Sequence, residues 1–179
     1  MHMHRDGAEP QIVSIVGSSG AGKTTLLERL IPELNKRGLR VGTVKHDVHG
    51  FEMDKPGKDS YRHKHAGAAM TILSSPIGIG LVMDTDHDFA LNELLPFFSG
   101  VDIILTEGYK RENYPKIEVF RKEVHPEPLC AGDKNLIALV SDTPLDLPIP
   151  RFLPKDIKGL ADFLIQQFFH TQGRIQGYY

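Results

Sequence analysis

A glycine-rich segment near the start of the chain has the spacing of a phosphate-binding loop. Residues 17–24 read GSSGAGKT and match the pattern G-x-x-x-x-G-K-[ST] at every fixed position. The apolar run 12–16 before it predicts a buried strand, and apolar residues at helical spacing predict a helix over 24–37. Glycines let the backbone turn tightly and bring its N–H groups close to phosphate oxygens, at the positive end of the following helix. The segment therefore predicts a site for a nucleoside triphosphate with magnesium.

Individual residues of this segment, which we call the P-loop, have distinct predicted roles. Lys23 is expected to reach the β- and γ-phosphates, and the Thr24 hydroxyl is expected to ligate Mg²⁺. The nucleotide-binding residues that the pattern predicts are Gly17, Ser18, Ser19, Gly20, Ala21, Gly22, Lys23 and Thr24.

The composition fits one globular domain. The chain has 179 residues, of which 40% are hydrophobic and 25% are charged, so it is long enough to bury a core. We expect a single nucleotide-binding domain over 11–170, a disordered tail over 1–10 and a flexible tail over 171–179. The formal net charge of −2 argues against a nucleic-acid partner.

Other classes of protein are also disfavoured. The longest apolar stretches are strand-sized, which argues against a membrane partner, and the polar start lacks a signal-peptide core. The single cysteine, Cys130, excludes an intrachain disulfide and a CxxC site. A cytoplasmic location is the expectation that follows.

Hydrophobic periodicity predicts an α/β fold. Strands are predicted over 12–16, 39–45, 70–73, 77–83, 101–106, 116–120 and 136–140, and helices over 24–37, 59–69, 88–98 and 156–169. Residues 46–58 predict a loop, since they contain several glycine, proline, histidine and aspartate residues. The expected fold class is a P-loop NTPase-like, mostly parallel sheet flanked by helices, with a local antiparallel β-hairpin.

A P-loop needs an acidic residue that holds the water shell of Mg²⁺. Asp102 and Glu107 lie at opposite ends of the predicted strand 101–106. Ligands bind beyond the carboxyl ends of strands in open α/β sheets, and Asp102 is about 16 Å from that end at ~3.3 Å per residue. We therefore favour Glu107 as a metal ligand beside Thr24. Asp47, just past the second strand, is the next candidate, either sharing the metal or orienting a water.

The residue that reads the base is less clearly marked. The guanine-selective pattern N/T-K-x-D is absent. An aspartate can still accept hydrogen bonds from N1–H and N2–H₂ of guanine, and Asp142 lies just past the buried run 136–140. A turn formed by Ser-Asp-Thr-Pro is the structural alternative, and both interpretations stay open.

Histidines and cations are concentrated between residues 43 and 69. The pairs His46/His49 and His63/His65 lack the i, i+4 spacing that places two imidazoles on one helical face, and no cysteine joins them. Anion binding is better supported, because Lys45 leaves the sheet at its phosphate-binding end and an arginine at position 62 can hold a phosphate bidentately. A solvated polar helix is the plain alternative.

These blocks together resemble the MobB family, the molybdopterin-guanine dinucleotide biosynthesis adapters. The resemblance rests on TVKH at 43–46, on His49, Phe51 and Asp54, on GKDS at 57–60, on Arg62 and His63, on AGA at 66–68, on EGYK at 107–110, and on PKIEV at 115–119 with Arg121. It extends from about residue 12 to residue 142.

The resemblance implies a homodimeric GTP-binding protein with at most slow, Mg²⁺-dependent GTP hydrolysis. Such proteins assist the partner molybdenum cofactor guanylyltransferase that joins GMP to Mo-molybdopterin. Family phosphate-binding positions correspond to Gly20, Gly22, Lys23, Thr24 and Thr25, and the family acidic position to Glu107. The matching residues that become candidates for binding molybdopterin or its guanine dinucleotide are Lys45, His46, Asp59, Arg62 and His63.

Two other functions are compatible with a P-loop. A small-molecule kinase would use the region around Lys45 and Arg62 to bind an acceptor. A metallochaperone GTPase would need a metal cluster, and a lone cysteine with scattered histidines argues against one.

Overall fold

The structure, a computed structural model, describes residues 9–47, 50–52 and 54–169. Its strands are β1 (Gln11–Val16), β2 (Val41–Lys45), β3 (Met70–Ser75), β4 (Gly78–Met83), β5 (Ile103–Glu107), β6 (Lys116–Val119), β7 (Leu136–Val140) and β8 (Arg151–Phe152). Its helices are α1 (Lys23–Lys36), α2 (Asp59–His65), α3 (Leu91–Leu94) and α4 (Ile157–Phe168), and a 3₁₀ turn, Leu95–Phe98, follows α3. None of the helices in these residues is both long and apolar enough to span a membrane. The predicted tail 171–179, and all but two residues of the tail 1–10, lie outside the described residues.

Six strands form one sheet in the order β2-β5-β1-β6-β7-β8, and every neighbouring pair is parallel. Strands β3 and β4 form a separate antiparallel pair. The register places Ile15 of β1 and Lys45 of β2 on either side of Glu107 in β5. Since parallel strands end at the same edge, the loops after these strands meet at the carboxyl edge of the sheet. The predicted α/β class and its local hairpin are confirmed.

The main core lies between one face of the sheet and two helices that contact each other, α1 and α4. Helix α1 buries Leu26, Leu30 and Leu34 at helical spacing, and α4 buries Leu160 and Leu164. The strands contribute alternate side chains, namely Val13, Ile15, Ile103, Leu105, Ile117, Val119, Ala138 and Val140. Burying a leucine stabilises a fold by about 1.5–3 kcal/mol. The apolar face of α1 therefore fixes the helix that begins at the P-loop.

Buried charges on β6 hold the segment that follows this strand. Glu118, 1% exposed, accepts the backbone N–H groups of Leu129 and Cys130 at 2.6 and 2.9 Å. Lys116, 2% exposed, donates to Asp133 at 2.7 Å. This hydrogen bond lowers the pKa of Asp133, while burial raises the pKa of the Cys130 thiol. Hydrogen bonds with the segment after β6 thus satisfy both buried charges. They anchor this segment at residues 129–133, near its C-terminal end.

The structure divides into two compact units. The larger comprises the described residues up to 46 and from 98 onward, and the smaller comprises those within 47–97. In the smaller unit, β3 and β4 pair along their whole length, from Met70 opposite Met83 to Ser75 opposite Gly78. Compactness alone does not make a unit an independently folding domain, so the single domain over 11–170 stays a prediction.

Three elements differ from the predicted ones by more than two residues at either end. The helix expected over 88–98 is split into α3 and the 3₁₀ turn, because Pro96 lacks the N–H that would continue an α-helix. Helix α2 ends at His65, four residues before the predicted end, and Gly67 follows with a φ of +105°. The short strand β8 lies within the proline-rich segment 144–154, where no strand was predicted.

Candidate nucleotide-binding site

The P-loop connects β1 to α1 at the carboxyl edge of the sheet. Gly17, Gly20 and Gly22 have φ angles of +138°, +76° and +102°, a region that side chains disfavour. A Cβ at Gly17 would lie 2.3 Å from the carbonyl oxygen of Val119 at the end of β6. Gly22 is the residue from which α1 starts. The spaced glycines thus allow a close approach to the neighbouring strand and the entry into the helix.

The ammonium group of Lys23 folds back over the P-loop. Its Nζ donates to the carbonyl oxygens of Gly17 at 3.1 Å and Ser18 at 3.0 Å. The first turn of α1 also presents N–H groups that have no partner within a helix, and such groups attract anions. Of the other residues predicted to bind the nucleotide, Ser19, Gly20, Thr24 and Thr25 are exposed and Ala21 is buried. The backbone and Lys23 together suit a phosphate chain.

The side chains of Thr24 and Glu107 meet directly. Thr24 Oγ1 donates to the two carboxylate oxygens of Glu107 at 3.0 and 3.3 Å. A hydroxyl and a carboxylate are the oxygen ligands that Mg²⁺ prefers, so this pair fits the ion. Asp102 lies at the opposite end of the same strand region, where its carboxylate accepts the backbone N–H of Arg40 at 2.6 Å. This placement favours Glu107 over Asp102 as a metal ligand, because ligands bind at the carboxyl ends of parallel strands.

The loops after β2 and β5 are joined beside Glu107. The backbone N–H of His46 donates to the carbonyl oxygen of Glu107 at 3.0 Å. The His46 ring lies 4.7 Å from the ring of Tyr109, centroid to centroid. Among the described residues, Tyr109 is the one non-glycine with a positive φ, +50°, a conformation that costs roughly 1–2 kcal/mol. Gly108 before it would bring a Cβ within 3.1 Å of the His46 Cβ.

Sequence reasoning named His46 and Glu107 but missed Tyr109 as part of this cluster. The sequence feature that indicates a close backbone approach beside Glu107 is Gly108. The cluster places an aromatic pair next to the residues that fit Mg²⁺.

Asp142 is the second residue after β7 and is exposed at the carboxyl edge. The backbone around it is fixed, since the buried Ser141 accepts the N–H of Thr143 on Oγ at 3.0 Å. The carbonyl oxygen of Ser141 also accepts a hydrogen bond from Arg151 of β8 at 2.9 Å. Asp142 therefore sits in an ordered turn on the edge where a nucleotide would lie, and both interpretations of this residue remain compatible with the structure.

The remaining predicted residues divide between the two units. Lys45 is exposed at the end of β2, beside Glu107 in the register. The smaller unit contains Asp47, Asp59, Arg62 and His63. Within it, the exposed Arg62 guanidinium lies 3.6 Å from the Asp59 carboxylate. The contact of these residues with a cofactor, and the part of Asp47 in a metal site, stay predictions.

Side chains that ligate metals do not form a cluster in the part of the chain that the structure describes. The described residues contain no group of three or more histidine, cysteine, aspartate and glutamate side chains that could hold a metal ion. The histidine His49 lies outside the described residues, as do the two histidines near the N-terminus.

Comparison with known proteins places these features in one family. The model of the MobB family, described as molybdopterin guanine dinucleotide synthesis protein B, matches residues 12–142. The molybdopterin-guanine dinucleotide biosynthesis adapter protein of Escherichia coli is 42% identical over 163 residues, covering 87% of this chain and 91% of that protein. The adapter protein of the same description from Haemophilus influenzae is 37% identical, covering 90% of this chain and 92% of that protein.

Solved structures agree with this result. The crystal structure of a molybdopterin-guanine biosynthesis protein B superimposes with a TM-score of 0.68 and 27% identity, covering 87% of this chain and 99% of that one. The matched region contains the P-loop, Glu107 and Asp142 in a single stretch of sequence. The chain therefore belongs to the MobB family.

Proposed function

We propose that this protein is a GTP-binding adapter in the biosynthesis of molybdopterin guanine dinucleotide. In this role it binds GTP with Mg²⁺, hydrolyses it slowly at most, and assists a molybdenum cofactor guanylyltransferase. The observation that carries the proposal is the contact between Thr24 and Glu107 at the end of a complete P-loop, in a chain that belongs to the MobB family. The pathway and the adapter role are proposed from the names of the relatives.

Each part of the nucleotide has residues that could hold it. The P-loop backbone and Lys23 would bind the phosphates, and Thr24 with Glu107 would hold Mg²⁺, which supplies charge neutralisation at the β- and γ-phosphates. None of the residues assigned to this site, all within the part of the chain that the structure describes, is a dedicated base for the attacking water, which supports slow hydrolysis.

We expect Asp142→Asn to reduce the preference for GTP over ATP without abolishing phosphate binding. A carboxylate can accept from both N1–H and N2–H₂ of guanine, and losing such a bidentate contact costs on the order of 1–3 kcal/mol by analogy with base-edge readout. Calorimetric titration of wild type and Asp142→Asn with GTP and with ATP measures this preference. An unchanged ratio of the two affinities would assign Asp142 to its turn alone.

Lys45, at the end of β2, and Arg62, in α2 of the smaller unit, are each proposed as binding residues for the cofactor, molybdopterin or its guanine dinucleotide. We expect Lys45→Ala and Arg62→Ala to leave GTP affinity within a few-fold of wild type, because the P-loop already supplies donors for the phosphates. The same variants should lower stimulation of the guanylyltransferase by about ten-fold or more, equivalent to about 1.4 kcal/mol. The exposed Lys134 offers a control substitution, Lys134→Ala, that should change neither activity.

The test of this assignment is a reconstituted guanylyl-transfer assay beside a GTP titration. Unchanged stimulation of the guanylyltransferase by Lys45→Ala and Arg62→Ala would mean that the two side chains are only solvated surface cations. Loss of GTP binding would instead assign them to the nucleotide phosphates.

A homodimer is also proposed. Its support is the hairpin of the smaller unit, where Ile72, Ile77 and Ile79 are 55%, 98% and 76% exposed. Contiguous apolar side chains of this kind mark interaction surfaces in many proteins. Sedimentation velocity should give the mass of two chains, and a monomer at all micromolar concentrations would contradict the proposal.

A further inference from the structure

Arg121 lies at the carboxyl edge of the sheet, one strand away from the P-loop, and the nucleotide site described so far does not use it. It follows β6, which pairs in parallel with β1 through Val16 and Glu118. Its side chain is exposed, and among the described residues it has no hydrogen bond or ion pair. Exposed arginines without a partner are common on protein surfaces, so this exposure alone does not indicate a ligand. The position of Arg121 relative to the P-loop does.

The start of the P-loop touches the end of β6. The position of a Cβ on Gly17 would be only 2.3 Å from the carbonyl oxygen of Val119. Arg121 is two residues further along, about 7 Å at the spacing of an extended chain. An arginine side chain can cover such a distance, so its guanidinium can reach the phosphates held by the loop.

The direction of the chain also favours this contact. Ile117 and Val119 point into the core that includes α1, and Arg121 is the next residue in this alternation. The backbone on both sides of Arg121 is fixed. The N–H of Phe120 donates to Val140 at 2.9 Å, and the carbonyl oxygen of Arg121 accepts two N–H groups, at 3.0 and 3.1 Å. The root of the side chain is therefore held in place.

The carboxylate nearest to Arg121 along β6 is already occupied. Glu118 accepts the N–H groups of Leu129 and Cys130 and is buried, so it does not compete for the guanidinium. On the ligand side, Mg²⁺ and the single ammonium of Lys23 leave part of the negative charge of a triphosphate uncompensated. A guanidinium binds phosphate oxygens bidentately, which an ammonium cannot do.

We propose that Arg121 binds phosphate oxygens of the nucleotide from the β6 side of the P-loop. The ligand class is a nucleoside diphosphate or triphosphate. This proposal rests on the nucleotide binding proposed above and adds a residue to that site.

The test compares Arg121→Gln with Lys122→Gln, the adjacent exposed cation, in calorimetric titrations with Mg²⁺-GTP and with inorganic tripolyphosphate. Arg121→Gln should weaken the binding of both ligands by about ten-fold or more, equivalent to about 1.4 kcal/mol, and the loss should shrink at high salt. Lys122→Gln should stay within two-fold of wild type. Arg121→Lys should recover only part of the affinity, and the melting temperature without ligand should not change.

Equal effects of Arg121→Gln and Lys122→Gln would overturn the proposal while leaving nucleotide binding intact. A loss for GTP without a loss for tripolyphosphate would also overturn it, because the contact would then be to the base or ribose. Unchanged GTP affinity with reduced guanylyl transfer would assign Arg121 to a second anionic substrate and contradict the proposal. A wild type that binds neither ligand would reject the nucleotide function itself.

Discussion

Lys23→Ala is expected to remove most of the binding of Mg²⁺-GTP while the protein stays folded. The ammonium is the point charge that the P-loop directs at the β- and γ-phosphates, and in the structure it rests on the carbonyl oxygens of Gly17 and Ser18. We expect a loss of about 100-fold or more in affinity, which corresponds to about 2.8 kcal/mol. Isothermal titration calorimetry measures this loss.

The matched control is Lys36→Ala at the other end of the same helix, where the side chain is 74% exposed. It should leave GTP affinity unchanged. The melting temperature of Lys23→Ala should stay close to that of wild type, because the leucines of α1 remain buried in the core. Comparable GTP affinity in Lys23→Ala and wild type would refute the assignment of this loop.

Glu107→Gln is expected to weaken Mg²⁺-dependent GTP binding and hydrolysis far more than Asp102→Asn does. The Glu107 carboxylate lies 3.0 Å from the Thr24 hydroxyl at the carboxyl edge of the sheet, where its charge can act on the ion. Glutamine keeps the size and an acceptor oxygen but removes that charge. Asp102 bonds the backbone of Arg40 at the opposite edge, and an asparagine oxygen can still accept that hydrogen bond.

The measurement is a pair of GTP titrations for each variant, with Mg²⁺ and with a chelator. Glu107→Gln should lose about ten-fold or more of the affinity gained from Mg²⁺, equivalent to about 1.4 kcal/mol, whereas Asp102→Asn should keep it. With the chelator, Glu107→Gln should bind GTP at least as well as wild type, because a negative charge beside the phosphates has been removed. Equal losses in the two variants would show that the metal is held elsewhere.

The parts of the site that lie on regular strands could be predicted from the sequence. The strand before the P-loop and the strand that ends at Glu107 are mostly apolar runs, and parallel strands share one carboxyl edge. The choice of Glu107 over Asp102 followed from that geometry alone. The structure places them accordingly, since the Glu107 carboxylate contacts Thr24 and the Asp102 carboxylate contacts the backbone of Arg40.

Features that depend on tertiary contacts could not be predicted. The positive φ of Tyr109 and its contact with His46 arise where two loops meet, and no local spacing marks such a pair. Strand β8 has two residues directly after Pro150, too short for a periodic signal, and it is held by pairing with β7. The described residues within 47–97 form a separate unit through contacts among themselves, which no local pattern marks.

Lys23, Thr24 and Glu107 are proposed to form a Mg²⁺-dependent site for GTP at the P-loop. The most direct measurement is calorimetric titration of the wild-type protein with GTP and with ATP, each with Mg²⁺ and with a chelator. We expect saturable binding of GTP that is strengthened by Mg²⁺ and is tighter than the binding of ATP. Equal affinity for the two nucleotides would contradict the guanine preference, and an absence of GTP binding with Mg²⁺ would contradict the site itself.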